Sequence, residues 1–87
     1  MLHNAPMVSA AIGVSAIPGV TGVRTNQALV NAAGQTLSRL RPDVQYIQNG
    51  LIHIIEVNNS GGAGYHAARQ GQLQSVLGAL FGSYTGL

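Results

Sequence analysis

The sequence predicts a small mixed α/β (α+β) domain built on a helix, a β-hairpin and a second helix. Asn49-Gly50 separates two runs rich in Val, Ile and Tyr, and this dipeptide suits a type I′ turn because both residues tolerate positive φ. Leu29, Ala33, Leu37 and Leu40 recur at helical spacing before the hairpin, as do Leu73, Val76, Leu77 and Leu80 after it. Pro42 marks the junction between helix and strand, because the residue before a proline is driven out of the α region.

Residues 1–24 form an apolar lead-in without a clear period, punctuated by Pro18-Gly19 and Thr21-Gly22. Met7–Val20 is its most apolar stretch. It is shorter than the ~20 residues a membrane helix needs, it lacks a basic leader, and it reads as a partly buried helix or an irregular segment. No stable membrane insertion is expected. A nuclease-like domain, so named for a resemblance set out below, is expected over residues 25–87. Thr25 caps a predicted helix to about Leu40, with Gly34 as a weak point inside it. Asp43–Gln48 and Leu51–Asn58 are the predicted strands. Asn59–Gly64 is a glycine loop, and Tyr65 to about Phe81 is the second helix. Two strands alone make a poor sheet, so either the N-terminal segment adds one or something outside the chain completes it.

The charge pattern is the most informative feature. Of 87 residues only Asp43 and Glu56 are acidic, the cations are four arginines, and there is no cysteine. The missing cysteines exclude disulfides and thiolate metal sites. A hydrophobic fraction of 46% against 7% charged residues is unusually apolar for a free-standing domain. It implies a covering partner, an oligomer, or a larger protein of which this is a piece. Four arginines do not make a basic patch.

Side chains alternate along a strand. Glu56 and Asn58 therefore share one face of the second strand with Ile52 and Ile54, while His53 lies on the other, as a packed or surface histidine. Pairing about the Asn-Gly turn sets Val44 opposite Ile55 and Asp43 opposite Glu56. Asp43, Glu56, Asn58 and the Val57 carbonyl thus converge, a candidate site for a divalent cation. After the glycine loop, Tyr65, His66, Arg69 and Gln70 form a polar group. Arg69 and His66 are candidates for phosphate contact, and the plain alternative is a solvated helix face. Tyr46 reads as a core residue. Gly61, Gly62 and Gly64 either cradle a phosphate at a helix N-terminus or form a bare loop.

Pro42-Asp43 and Glu56-Val57-Asn58, separated by a hairpin and preceded by a predicted helix, resemble the PD-(D/E)XK nuclease superfamily. The likeness covers about residues 25 to 81. The Arg-Pro-Asp opening, Asn-Gly turn, Glu-Val ending and glycine loop before a Tyr- and Arg-bearing helix look most like the C-terminal nuclease domains of bacterial polymorphic toxins of the Rhs and contact-dependent inhibition type. The resemblance implies a small or truncated restriction-endonuclease-like fold. It implies Mg²⁺, or Mn²⁺ in its place, held by Asp43, Glu56 and the Val57 carbonyl. Asp43, Glu56, Asn58 and Arg69 would serve catalysis, and Arg41, Tyr65, His66 and Gln70 would bind substrate.

The function so implied is a DNA-cleaving toxin domain of a secreted effector, acting in the target-cell cytoplasm and opposed by an acidic immunity protein. One position departs from the family, since Asn58 stands where a lysine is usual. It can orient a water by hydrogen bonding but brings no charge. The alternative reading is a non-catalytic binding or assembly module of the same fold.

Overall fold

The computed structural model describes residues 4–57 and 64–87. Its elements in chain order are α1 (Asn4–Ser15), β1 (Thr21–Thr25), β2 (Val44–Gln48), β3 (Leu51–Glu56), α2 (Tyr65–Leu77) and β4 (Phe81–Gly86), with a 3₁₀ turn over Gly78–Leu80 joining the last two. The mixed α/β (α+β) expectation holds. The four strands lie in the order β1-β2-β3-β4, with the first two pairings antiparallel and β3–β4 parallel.

The hairpin forms as its turn chemistry dictates. Asn49 and Gly50 take φ of 56° and 76°, and Val44 pairs with Ile55. The missing strands come from both ends of the chain. β1 lies within the apolar lead-in and pairs along β2, with its register broken between Thr21 and Arg24. Gly22 sits there at φ 60°, where a bulge wants a residue without Cβ.

Apolar clusters form on both faces of the sheet. On one, Val14 of α1 packs with Val44 and Ile55, flanked by Ala10, Ala11, Val23 and Tyr46. On the other, Leu73 and Leu77 of α2 pack with Ile52, Ile54 and Leu29. The central strand β3 is therefore covered on both sides, which explains its unbroken Leu-Ile-His-Ile-Ile run. Ile52, Ile54 and Glu56 face α2, as strand alternation requires. No helix among the described residues is long and apolar enough to cross a membrane.

Two expectations are corrected. Residues 26–43 are not a helix; they form an irregular segment tied by an isolated bridge between Val30 and Thr36. The reason is side-chain competition for the backbone. Asn31 Oδ1 accepts the amides of Ala33 and Gln35, and Asn26 and Gly34 adopt φ of 50° and 82°. Buried Gln45 then pins the segment from below. Its Oε1 accepts the Val30 amide and its Nε2 donates to the carbonyls of Gln27 and Ala28. Of the supposed helical stripe only Leu29 is fully buried, while Ala33 and Leu37 are exposed.

The second correction concerns the C-terminus. α2 stops at Leu77 rather than near Phe81, because Gly78 turns the chain at φ 53° while its amide caps Gln74. The residues that follow become β4, so Val76 and Leu80 remain exposed.

Candidate functional site

The site sits at the end of the sheet where β3 finishes and β2 begins. Asp43 immediately precedes β2 and Glu56 is the last residue of β3. The register that pairs Val44 with Ile55 makes them next neighbours across the hairpin. Asp43 Oδ2 accepts the Val57 amide at 2.7 Å, and the Asp43 carbonyl accepts the Asn26 amide at 2.9 Å. The aspartate thereby fastens the strand ends together. Val57 is engaged through its N–H in this contact.

Glu56 is 2% exposed. A carboxylate buried to that degree needs a paired cation and hydrogen bonds. Arg69, in the second turn of α2, supplies both. Its Nε donates to Oε1 at 2.9 Å and a terminal nitrogen donates to Oε2 at 2.8 Å, a two-pronged geometry suited to the guanidinium fork. The Tyr84 hydroxyl of β4 adds a third bond, donating to Oε1 at 2.9 Å. Behind it, His66 Nδ1 lies 2.9 Å from the Tyr84 oxygen. Because that hydroxyl hydrogen is already given to Glu56, the imidazole Nδ1–H is the donor.

The electrostatics follow from this arrangement. The hydrogen bond to Glu56 holds Arg69 above its ordinary pKa. Burial, then the bond to Glu56 and its charge, push the Tyr84 phenol well above the usual tyrosine range. Tyr65 is also raised, by burial first and then by the charge of Glu56, with Asp43 adding and Arg69 opposing. The Tyr65 hydroxyl therefore lies in the field of both carboxylates and of the guanidinium.

Of the remaining candidates, Arg41 is exposed and donates to the Asn26 carbonyl at 2.6 Å, beside the strand-end junction. Gln70 is half-buried on α2. Asn58, Gly61 and Gly62 lie outside the described residues. Gly64 is the N-cap of α2. His53 is stacked on Tyr46 with ring centroids 5.1 Å apart and an Nδ1 contact of 2.8 Å to Ser83 Oγ. It is a packed histidine on the face of β3 opposite Glu56.

The residue that sequence reasoning missed is Tyr84. It lies beyond the predicted second helix, and its only signal was an aromatic in a Phe-Gly-Ser-Tyr-Thr-Gly run with strand alternation. The two glycines of that run matter. A Cβ at Gly86 would stand 2.6 Å from the His66 ring, and one at Gly82 would stand 2.5 Å from the His53 ring. β4 can thus pass close to both imidazoles.

Two carboxylates and a neighbouring carbonyl are hard oxygen donors, and Mg²⁺ accepts one or two carboxylates with waters completing its shell. The donor chemistry therefore fits such an ion, although no group of three or more His, Cys, Asp or Glu side chains occurs among the described residues. Arg69 already neutralises Glu56, however, so any ion there has a cation to compete with. A shallow apolar cavity of about 310 Å³ lies at the other end of the hairpin, between Gly50, Ile47 and Leu80, away from the acids.

Fold and site together define a small three-layer α+β domain with one acid–arginine–tyrosine cluster at a sheet end. Compared with known protein families, curated proteins and solved structures, the chain matches none.

Proposed function

We propose that this chain is a metal-dependent nuclease domain that hydrolyses phosphodiester bonds at the Asp43–Glu56 sheet end. The observation that carries the reading is the convergence of the chain's two acids, side by side in hairpin register at the end of the sheet. Asp43 and Glu56, with the Val57 carbonyl, are the residues that would hold Mg²⁺ or Mn²⁺. Bound there, the ion would polarise the scissile phosphate and acidify a water.

The chain's own contributions are positional. Asp43 ties the ends of β2 and β3 together. Tyr84 fixes the Glu56 carboxylate, and His66 fixes Tyr84. Arg69 and Arg41 are the cations offered to a phosphate, with Tyr65 one turn before Arg69 on α2 and Gln70 one turn after His66. Asn58 would orient water in place of the usual lysine.

DNA is the preferred substrate in this reading. A secreted effector acting in the target-cell cytoplasm is the setting, with an acidic immunity protein over the cleft around Asp43, Glu56 and Arg69 as partner.

Plasmid cleavage tests it. The wild-type chain nicks DNA with Mg²⁺ and not with EDTA, and Glu56→Ala does not nick. Intact DNA and RNA throughout, or equal cleavage by Glu56→Ala, refutes it.

A second reading has one observation in its favour. Glu56 has both oxygens engaged by Arg69 and Tyr84, as a purely structural ion pair would. In a non-catalytic binding or assembly module the apolar face of α1, with Ile12 67% exposed, would be the working surface. Such a module shows no Mg²⁺ heat dependent on Asp43.

A further inference from the structure

We propose that Arg69 is the resident counter-cation of Glu56, which a divalent ion must displace, and that the displaced guanidinium is then free for the substrate phosphate. This rests on the nuclease reading above and adds a control element to its site.

The oxygens leave little alternative. A carboxylate oxygen offers two lone pairs. Glu56 Oε1 already accepts two bonds, from Arg69 Nε and the Tyr84 hydroxyl, and Oε2 accepts the Arg69 terminal nitrogen. Glu56 is 2% exposed, so it requires a cation in any state. Guanidinium and divalent ion are drawn to the same charge and the same two oxygens, on which the fork and the Tyr84 hydroxyl leave one lone pair of four. The Tyr84 hydroxyl stays on Oε1 through the exchange, so the carboxylate keeps its aim.

Arg69 is built to move. Its side chain is 18% exposed, which gives the guanidinium a path to solvent that Glu56 lacks. Tyr65, more than a third exposed, stands one helical turn before it at the start of α2 and offers a second resting partner. The chain has no lysine and only four arginines. Arg41 and Arg24 are directed at Asn26 and Gln27, Arg39 is exposed on the irregular segment before Pro42, and Arg69 is the one bonded to Glu56. The cation that the Asn58 position does not supply is therefore present in Arg69, but sequestered until Glu56 gains another.

Calorimetric titration of Mn²⁺ into wild type, Arg69→Gln and Arg69→Lys, with Glu56→Gln as the blank, reads the competition. Removing the fork exposes the carboxylate, and Arg69→Gln binds Mn²⁺ about tenfold or more tighter than wild type, the equivalent of one charge-assisted hydrogen bond. Arg69→Lys keeps the charge, preserves the fold if the glutamine variant does not, and falls between the two.

In the unaltered chain, the Arg69 Nε–H resonance, identified by its loss in Arg69→Lys, shifts and loses exchange protection as Mg²⁺ is added. The other arginine resonances hold still. Mn²⁺ affinity equal to or weaker than wild type in the folded Arg69 variants, an Arg69 resonance unmoved at saturating Mg²⁺, or no heat in any chain overturns the proposal. The nuclease reading fails on a separate result, nucleic acid left uncut in Mg²⁺ by a chain that binds the ion.

Discussion

Replacing Arg69 with Gln removes the cation from a carboxylate that remains buried, and the cost can be worked from the contacts. Glu56 loses two charge-assisted hydrogen bonds and keeps one, from Tyr84. Breaking a buried pair by deleting one partner costs roughly 3–5 kcal/mol. The Arg69 side chain is 18% exposed and the glutamate 2%, so water reaches the pair from one side only, and the lower end, about 3 kcal/mol, applies. A domain of this length has a total stability of about 4–13 kcal/mol, so the variant folds with a much narrower margin.

Urea unfolding followed by far-ultraviolet circular dichroism, suited to a chain without tryptophan, measures the loss. A loss under about 1 kcal/mol at pH 7 refutes the claim that Glu56 depends on Arg69 for its charge.

Four further outcomes follow from the structure. Gly82→Ala sets a methyl 2.5 Å from a His53 ring that is held by Tyr46 and Ser83 and costs about 1–3 kcal/mol in urea unfolding. Gly71→Ala in α2, which meets nothing within 4 Å, gains about 0.5–1 kcal/mol. Gln45→Leu strands the Val30 amide and the Gln27 and Ala28 carbonyls; it costs about 3 kcal/mol, and hydrogen exchange reads the Val30 amide as unprotected. Tyr84, raised by burial and by Glu56, stabilises the fold fully below the ordinary tyrosine pKa of about 10, and that contribution is lost as pH climbs through its folded value. Tyrosinate absorbance shows a late-ionising component that Tyr84→Phe deletes.

What was legible in the sequence was whatever local chemistry decides alone. Asn49-Gly50 has one good turn available, so the hairpin, its register and the face carrying Glu56 could all be read. Leu73 and Leu77 marked the buried side of α2 for the same reason. The segment before Pro42 was misread because Leu29, Ala33, Leu37 and Leu40 keep helical time. The deciding contacts come from Asn31, which recaptures its own backbone, and from Gln45, whose side chain reaches the segment from a strand 15 or more residues away in sequence. β4 was hidden by its composition. Its glycines signal a tail when read alone, and they make sense only once His53 and His66 lie over them. Tyr84, and with it the third bond to Glu56, was lost with that strand. Arg69 was singled out as a scarce cation aimed at phosphate, but the depth of Glu56's burial, which turns that cation inward, is a property of packing rather than of spacing.

The account stands or falls on Asp43 and Glu56 acting as one cation site. Calorimetric titration of Mg²⁺ into Asp43→Asn tests that most directly, because the asparagine carbonyl can still accept the Val57 amide and keep the strand ends joined. Binding heat present in wild type and absent from a folded Asp43→Asn chain is the predicted result. Wild-type heat retained in Asp43→Asn would contradict it.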